Sequence, residues 1–370
     1  MRYLAMVFFL FVFGCKSDDE AIAITDNPSE EVVPFYFPPI DTEEWESTSY
    51  NDLGWSADGF NELRTFLAES NTRAFLILKD GKIVVEEYFG NNILGTTPFN
   101  VSSQWYWASA DKTLTAALVG IAQQDGLLDI NDVSSDYLGE GWTSLPPEKE
   151  QLIKIQNQLT MSSGLEYDVD DLNCTLPSCL TYKADAGEQW YYHNAPHTLL
   201  KNVIENASGL EYNTFTEQKL IDLIGMDGQW IAQGFNNVFW STARDMARFG
   251  ILMLNKGKWA DLEILSDMNY YDQMVNTSQN LNPSYGYLWW LNGKDSIIFP
   301  GFEATFPVPL AQNAPEDMIA AMGTNGQFLQ LVPSQNLIVV RMGQTPDNSA
   351  TGVSYNEDMW EKINGFVSTP

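Results

Sequence analysis

The chain has 370 residues, and its 44% apolar and 13% aromatic content can fill the core of one large domain or two modest ones. Its 49 acidic and 19 basic residues give a formal net charge of −30. A surface this acidic repels nucleic acid and anionic lipid, so we exclude DNA or RNA as a partner. The charge is typical of solubility in a salty or cold environment and requires no cationic partner.

The first 14 residues have the features of an export signal. A basic Met-Arg start precedes an apolar stretch, Tyr3 to Phe13, that is too short to cross a membrane. The sequence ending at Cys15 resembles a bacterial lipobox, and the acidic residues after it are similar to the export tag of some surface lipoproteins. We expect a signal peptide over 1–14, lipid on Cys15, and an exported protein anchored to the bacterial outer membrane and exposed at the surface. Cleavage and secretion as a soluble protein is the alternative.

Residues 15–45 are acidic, contain prolines and show no sustained hydrophobic period, which predicts a tether. The remainder, 46–370, is the candidate folded domain. It opens with the pattern of an amphipathic helix over 58–69. Two β-prone runs within 73–90 then meet at Asp80-Gly81, a residue pair that favours a hairpin turn.

The segment from Ser109 to Lys112 begins an apolar helical run, Thr113 to Gln123. Residues three apart on a helix share a face, so the Lys112 amine can lie against the Ser109 hydroxyl. A serine hydroxyl is a poor nucleophile until a base takes its proton, and a lysine in a dry site keeps a fraction of neutral amine for that task. The start of a helix also favours negative charge. Ser109 is therefore the candidate nucleophile and Lys112 its candidate base.

The middle of the chain is mostly helical in pattern. Cys174 and Cys179 lie within it, and their close spacing in an exported, oxidising context predicts a local disulfide. Apolar periodicity and glycine stops predict helices over 154–165 with its end at Gly164, over 196–208 before Gly209, over 215–224, and over 241–257.

Strand patterns return near the C-terminus. They cover 286–291, 318–322, 328–333 and 337–342, and a last helix pattern covers 356–367. Strands at both ends of a helical middle predict an α+β fold. We expect one antiparallel sheet formed from the N- and C-terminal strands, flanked by helices, with an inserted helical subdomain.

Two further segments supply candidate partners for the nucleophile. Tyr192, beside a lysine cation, can pass a proton between nucleophile and leaving group, and the Asn194 amide can bind the lysine and a substrate carbonyl. The glycine-containing turn after 318–322 lets backbone approach a ligand, and an N–H near Thr324 is a candidate oxyanion donor. Gly326 and Gln327 complete the candidate substrate-binding and oxyanion set.

Other kinds of site have less support. The two histidines, His193 and His197, are four residues apart, but Pro196 between them and the missing Glu beside His193 argue against a zinc-protease helix. We expect no metal and no cofactor. No Gly-x-Ser-x-Gly elbow surrounds any serine, so a Ser-His-Asp hydrolase is not indicated. The Trp289-Trp290 pair is interpreted as core rather than as a ligand platform.

In their order, these motifs resemble the serine β-lactamase and penicillin-binding protein family, on the side of class C β-lactamases and esterases. The likeness covers about 50–365 and includes Ser-x-x-Lys at 109–112, Tyr-x-Asn at 192–194, and the segments LTMSSGL, FWSTARDMARFGILMLNKGKW and YGYLWWL. It implies a β-lactamase/transpeptidase-like fold in which Ser109 is acylated, Lys112 activates it and Tyr192 relays a proton. The turn GTNGQ lacks the family's Lys or His and is closer to that of 6-aminohexanoate-dimer hydrolases and related esterases.

We therefore expect a serine hydrolase that cleaves small esters or linear amides through an acyl-enzyme on Ser109, with no obligate protein partner. One alternative is a catalytically silent surface lipoprotein that binds or senses a ligand. Another is a true β-lactamase or DD-peptidase. The presence of all four site residues favours the hydrolase, because a catalytically inactive site does not need all of them: Ser109, Lys112, Tyr192 and Asn194.

Overall fold

The computed structural model describes residues 35–344 and 352–367. The predicted signal peptide, the lipidation site Cys15 and the first part of the predicted tether lie outside these residues. The helices are α1 (Ala57–Glu69), α2 (Lys112–Gln124), α3 (Ser135–Leu138), α4 (Pro147–Glu150), α5 (Ile155–Leu159), α6 (Asn194–Thr198), α7 (Leu200–Ser208), α8 (Tyr212–Thr216), α9 (Asp222–Ile224), α10 (Ala243–Leu254), α11 (Met268–Met274) and α12 (Val353–Val367). None of the helices in the described ranges has the length and apolar character needed to cross a bilayer.

The strands are β1 (Thr72–Lys79), β2 (Lys82–Tyr88), β3 (Trp105–Tyr106), β4 (Gly228–Gln233), β5 (Asn236–Ser241), β6 (Lys258–Trp259), β7 (Leu262–Glu263), β8 (Trp290–Leu291), β9 (Ile319–Gly323), β10 (Gln327–Val332) and β11 (Leu337–Gly343). Six of them form one antiparallel sheet in the order β2-β1-β11-β10-β9-β8. Since β1 pairs directly with β11, the sheet joins the two ends of the described chain. The predicted α+β fold is confirmed.

Helices cover both faces of this sheet, and the alternation of side chains along β10 shows how. Phe328 stacks on Tyr355 of α12, while Leu329 lies against the backbone of α10 at Gly250. Every residue of β10 and β11 is buried as a result. The apolar runs of these two strands therefore belong to a sheet enclosed on both sides.

A second sheet, in the order β3-β5-β4, was not predicted from the sequence. Ser241, expected to start a helix, is the last residue of β5. The helix that follows, α10, is capped by Thr242, whose hydroxyl accepts a hydrogen bond from the Asp245 N–H, while the Asp245 carboxylate accepts one from the Thr242 N–H. The second sheet ends beside the start of α2, where the candidate nucleophile lies.

Two predicted elements are much shorter than expected. The helix predicted over 154–165 ends at Leu159, and Met161 has a positive φ of 58°. Of the strand predicted over 286–291, only β8 forms, because Leu288 also has a positive φ, of 61°. The Leu288 N–H donates to the Leu159 carbonyl, so a tertiary contact joins the two irregular points.

The folded domain begins earlier than the sequence predicted. Residues 35–45, interpreted as tether, lie against the domain: the Tyr36 N–H donates to the Asp80 carbonyl, and the Trp45 indole N–H donates to the Gly81 carbonyl. The compact unit accordingly starts at Phe35. An acidic, proline-containing segment can thus be held against a domain by backbone hydrogen bonds and aromatic contacts.

Candidate active site

Ser109 lies on a single 3₁₀ turn, Ala108–Asp111, that leads into α2. The Lys112 ammonium donates a hydrogen bond of 2.9 Å to the Ser109 hydroxyl oxygen, and Lys112 is only 4% exposed. The structure therefore brings the candidate nucleophile and base together. Ala108 has a positive φ of 49°, a conformation that residues other than glycine seldom adopt outside constrained sites.

Strand β5 holds this turn from one side. The Trp107 N–H donates to the Phe239 carbonyl, and the Phe239 N–H donates to the Asp111 carboxylate, each at 2.9 Å. Burial raises the pKa of Asp111 to about 7, although the Lys112 charge and the Phe239 N–H act in the opposite direction. Asp111 thus ties the turn to β5 from the position next to the candidate base.

The end of β9 approaches the turn from the other side. A Cβ atom on Gly323 would lie 2.4 Å from the Trp107 carbonyl oxygen, so only glycine permits this approach. The backbone N–H of Thr324, the next residue, has no hydrogen-bond partner among the residues that the structure describes. Ser109 lies in the first turn of its helical segment, where N–H groups have no acceptor within the helix. Two backbone donors are thus available beside the nucleophile.

The turn between β9 and β10 is fixed from behind by two buried side chains. The Arg341 guanidinium donates to the carbonyls of Asn325 and Gly326 at 2.7 and 2.9 Å. The Gln327 amide makes two hydrogen bonds to the backbone of Gly343. Gln327 was predicted to face the substrate, but its side chain lies inside the sheet. Arg341 was missed, although an arginine inside the apolar run LIVVRMG was the available signal.

Tyr192 lies next to Lys112. The Lys112 ammonium nitrogen is 5.1 Å from the centroid of the Tyr192 ring, over its face. Trp290 stacks on the tyrosine ring, with ring centroids 5.7 Å apart, and Tyr285 meets the ring edge-on. Trp289 is fully buried, as predicted for core, whereas Trp290 forms part of the cavity wall.

Asn194 belongs to a chain of amides that fixes its orientation. Asn173 donates from Nδ2 to the Asp171 carboxylate, so its Oδ1 must face the other way, toward the Nδ2 atoms of Asn194 and Asn236. The Oδ1 atom of Asn194 is then buried without a partner among the described residues. Asn173 was not singled out from the sequence. Its only signal was its place beside Cys174, which forms a disulfide with Cys179 across a Cα–Cα distance of 5.9 Å.

Two cavities meet at Ser109, and Asn194 and Thr324 line both. The first, of about 270 Å³, we call the apolar cavity; its wall includes Leu172, Tyr192, Trp290, Phe299, Leu310 and Met322. The second, of about 280 Å³, we call the polar cavity; its wall includes Tyr106, Asp111, Lys112, His197, Gln233 and Asn237. Of the predicted site residues, Gly326 and Gln327 line neither.

The two histidines have separate surroundings. His197 is buried with its Nδ1 atom 2.8 Å from the Asn194 carbonyl, and burial together with the Lys112 charge holds its pKa well below the usual value. Burial lowers the pKa of His193 to about 4. Both imidazoles are therefore neutral at pH 7. Within 35–344 and 352–367, no three His, Cys, Asp or Glu side chains are grouped so that they could hold a metal ion.

The chain matches a known family in sequence and known structures in fold. The family model described as Beta-lactamase matches residues 67–361. The fold is similar to that of a Bacillus anthracis protein named as a 6-aminohexanoate-dimer hydrolase, with 19% identity, 89% of each chain covered and a TM-score of 0.65. It is also similar to a Bacteroides dorei protein named as a beta-lactamase, with 16% identity, 85% of this chain and 99% of that chain covered, and a TM-score of 0.63. No curated protein matches the chain significantly.

Proposed function

This chain belongs to the beta-lactamase family, and on that basis we propose that it is a serine hydrolase that cleaves small esters or linear amides through an acyl-enzyme on Ser109. The observation that carries the proposal is the hydrogen bond of 2.9 Å between the Lys112 ammonium and the Ser109 hydroxyl. A nucleophile in contact with a buried amine is the arrangement that nucleophilic catalysis requires.

The mechanism follows from the positions of the surrounding groups. After its ammonium has released a proton to solvent, the Lys112 amine takes the hydroxyl proton while the Ser109 oxygen attacks the substrate carbonyl. The N–H groups of Ser109 and Thr324 stabilise the negative charge that develops on the carbonyl oxygen. Tyr192 passes the proton to the leaving group, and water then hydrolyses the acyl-enzyme by the reverse sequence of proton transfers. Asn194 orients the substrate from the point where the two cavities join.

The substrate is uncharged in this proposal. The apolar cavity has no charged residue in its wall, and the polar cavity contains only the pair Asp111 and Lys112. A β-lactam carries a carboxylate, and apart from Lys112, which is bonded to Ser109, neither cavity wall has a cation to pair with it, so burying that carboxylate is costly. We therefore expect kcat/KM for p-nitrophenyl acetate or butyrate to exceed that for nitrocefin on the same preparation. A clear preference for nitrocefin would contradict the assignment to esters and linear amides.

Covalent labelling tests the acyl-enzyme directly. A fluorophosphonate probe should label the wild-type protein and the Ser102→Ala variant, which loses an exposed loop serine, but not Ser109→Ala. Peptide mapping should place the label on Ser109. Labelling of a folded Ser109→Ala protein at the wild-type rate would refute the proposal. Absence of label and turnover in the wild type would favour a catalytically silent binding protein.

We further propose that the mature protein is anchored to the outer membrane by lipid on Cys15. The support is the N-terminal sequence: a basic start, an apolar stretch and an acidic segment after Cys15. Cys15→Ser should release the protein to the soluble fraction or stop its processing. A wild-type protein that is soluble and carries no lipid on Cys15 would refute the anchor.

A further inference from the structure

We propose that a third cavity, apart from the two that meet at Ser109, binds a small carboxylate that also carries an amide, such as an N-acylated amino acid. This cavity has a volume of about 440 Å³ and lies beside the start of β1 and the loop after β2. None of its described lining residues lines the apolar or the polar cavity. We call it the arginine cavity, because Arg73 is the only charged residue among the described residues of its wall. Such a site is independent of the proposed hydrolase function.

Neighbouring groups hold the Arg73 guanidinium in place. Its Nη1 atom donates to the carbonyls of Asn71 and Thr72 at 3.1 and 3.2 Å. Its central carbon lies 5.9 Å from the centroid of the Trp105 ring, and a Cβ on Gly90 would lie 3.1 Å from Nη1. Because these contacts fix the guanidinium in advance, binding a ligand costs little further side-chain entropy.

One edge of the guanidinium is left without partners. The Nε atom is buried and makes no hydrogen bond, and Nη2 donates to no atom in the described ranges but, unlike Nε, is not fully buried. Nε and Nη2 together form the edge through which an arginine binds both oxygens of a carboxylate. A shielded donor without an acceptor is costly, so a ligand carboxylate at this edge removes a penalty that the empty cavity carries.

The charge of Arg73 also has no counterion. No described carboxylate pairs with it, although the chain has 49 acidic residues. The other arginines in the described ranges either pair with a glutamate or donate from Nη2 to backbone carbonyls: Arg64, Arg244, Arg248 and Arg341. Arg73 alone among them has neither kind of partner, so the ligand that completes its surroundings is an anion.

The rest of the wall indicates which anion. Asn71, Asn91 and Gln344 line the same cavity, and their side-chain amides make no hydrogen bond within the described ranges. Side-chain amides offer both donors and acceptors, so they match an amide in the ligand. A cavity of about 150 Å³ accepts benzene, and the larger arginine cavity therefore has room for an N-acylated amino acid.

The first experiment compares two ligands that differ only in charge. N-acetylglycine has a carboxylate where N-acetylglycinamide has an uncharged amide. Both are titrated calorimetrically at pH 7 and constant ionic strength into the full-length Ser109→Ala protein, in which Ser109 cannot attack the ligand. We expect a Kd at least tenfold lower for N-acetylglycine, because only a carboxylate accepts charge-assisted bonds at both oxygens. Equal Kd values, or binding of neither ligand, would overturn the proposal.

Variants of Arg73 locate the bound ligand. Arg73→Lys keeps the positive charge but loses the edge formed by two nitrogens, so the Kd for N-acetylglycine should rise at least tenfold. Arg64→Lys is the matched control, because Arg64 pairs with Glu87 and does not line the cavity. The control should bind as tightly as the parent protein. An unchanged Kd in Arg73→Lys would place the ligand elsewhere and contradict the proposal.

A second substitution tests the cavity with Arg73 intact, in case Arg73→Lys fails to fold. Asn91→Asp adds a carboxylate to the wall, which either pairs with Arg73 or repels the ligand, and both effects should raise the Kd at least tenfold. Asn61→Asp adds the same charge at an exposed position outside the cavity and should leave the Kd unchanged. Equal Kd values for these two variants would also overturn the proposal. None of these measurements involves turnover, so their outcome is separate from that of the hydrolase tests.

Discussion

Among single residues, the contact between the proposed base and nucleophile depends on the junction between two helical geometries. Ser109 belongs to the 3₁₀ turn and Lys112 is the first residue of α2, yet the ammonium still reaches the hydroxyl. The Ser-x-x-Lys spacing predicted the contact because residues three apart share a face in both kinds of helix. It did not predict the turn, whose positive φ at Ala108 is imposed by the strands on either side.

Replacing Lys112 tests its role as base. Lys112→Ala should lower the acylation rate about a thousandfold, the middle of the range for a positioned general base. Lys112→Arg keeps the positive charge, but its acylation rate should be as low as that of Lys112→Ala, because a guanidinium does not give up its proton. Single-turnover acylation by an ester measures both. An arginine variant that acylates at the wild-type rate would mean that charge alone, and not proton transfer, is required.

The buried Asp111 carboxyl makes the stability of the fold depend on pH. Burial raises its pKa from 3.8 to about 7, so between these values the folded chain keeps a proton that the unfolded chain has lost. The stability contributed by the bound proton is complete below pH 4 and is lost as the pH rises to 7. Asp111→Asn keeps an acceptor for the Phe239 N–H but has no proton to lose over this range. Its free energy of unfolding relative to wild type should therefore rise by a few kcal/mol between pH 4 and pH 7.5.

Thermal unfolding of both proteins at pH 4, 5.5 and 7.5 measures this difference. Asp245, whose pKa burial raises to about 6, contributes a slope of the same sign, but it is present in both proteins and cancels in the comparison. A difference in free energy of unfolding that stays constant from pH 4 to 7.5 would show that Asp111 ionises in the folded chain as it does in the unfolded one.

At the scale of elements, the active site depends on how closely β9 approaches the nucleophile turn. Gly323→Ala would place a methyl carbon 2.4 Å from the Trp107 carbonyl oxygen and push the Thr324 N–H away from Ser109. A displacement of about 1 Å in a reacting group reduces rates roughly a hundredfold, and we expect a loss of kcat of that order. Gly365→Ala is the control, since a Cβ there meets no atom within 4 Å. Equal kcat in the two variants would contradict the requirement for close approach.

The sequence predicted elements well where a local pattern coincides with packing. The hairpin around Asp80-Gly81 and the strands β9 to β11 have their own turn residues and apolar runs, and the structure has them close to the predicted bounds. The prediction failed where a contact with a distant part of the chain determines the backbone conformation. The Leu288 N–H donates to the Leu159 carbonyl, and the predicted strand is shorter as a result. Strand β4 was missed because most of its residues are exposed, and β5 because the polar Asn236, Asn237 and Ser241 interrupt its apolar pattern.

The residues of the candidate site were also predicted only where a local motif marks them. Motif spacing found Ser109, Lys112, Tyr192 and Asn194, which the structure brings together around one cavity junction. Spacing did not find Asn173 or Arg341, because each acts through partners far away in the sequence. It also misplaced Gln327, since a one-residue step along a strand moves a side chain to the opposite face.

For the molecule as a whole, residues 35–45 pack as part of the fold. The Arg248 guanidinium, 5% exposed, donates to the Pro39 carbonyl at 2.8 Å and lies 5.2 Å from the Trp45 ring centroid. A chain starting at residue 46 lacks both partners and leaves part of a buried cation unsatisfied. Such a loss costs about 3 kcal/mol.

Thermal unfolding of two truncated chains tests this boundary. A chain starting at Phe35 should unfold at a higher temperature than one starting at residue 46, by several degrees. Arg248→Met should reduce the difference, because a neutral side chain no longer needs the Pro39 carbonyl. Identical unfolding temperatures for both chains would restore the tether boundary that the sequence suggested.

The pairing of β1 with β11 also sets the order in which the molecule assembles. The residues that surround Ser109 are spread along the chain from Tyr106 to Thr324, and contacts so distant in sequence form slowly. Until β9 to β11 have been synthesised and paired, Ser109 and Lys112 have no Thr324 N–H beside them. A chain still emerging from the ribosome, or still threaded through an export channel, is therefore inactive. If the protein is exported as its first residues predict, the proposed hydrolase becomes active only outside the compartment in which it is synthesised.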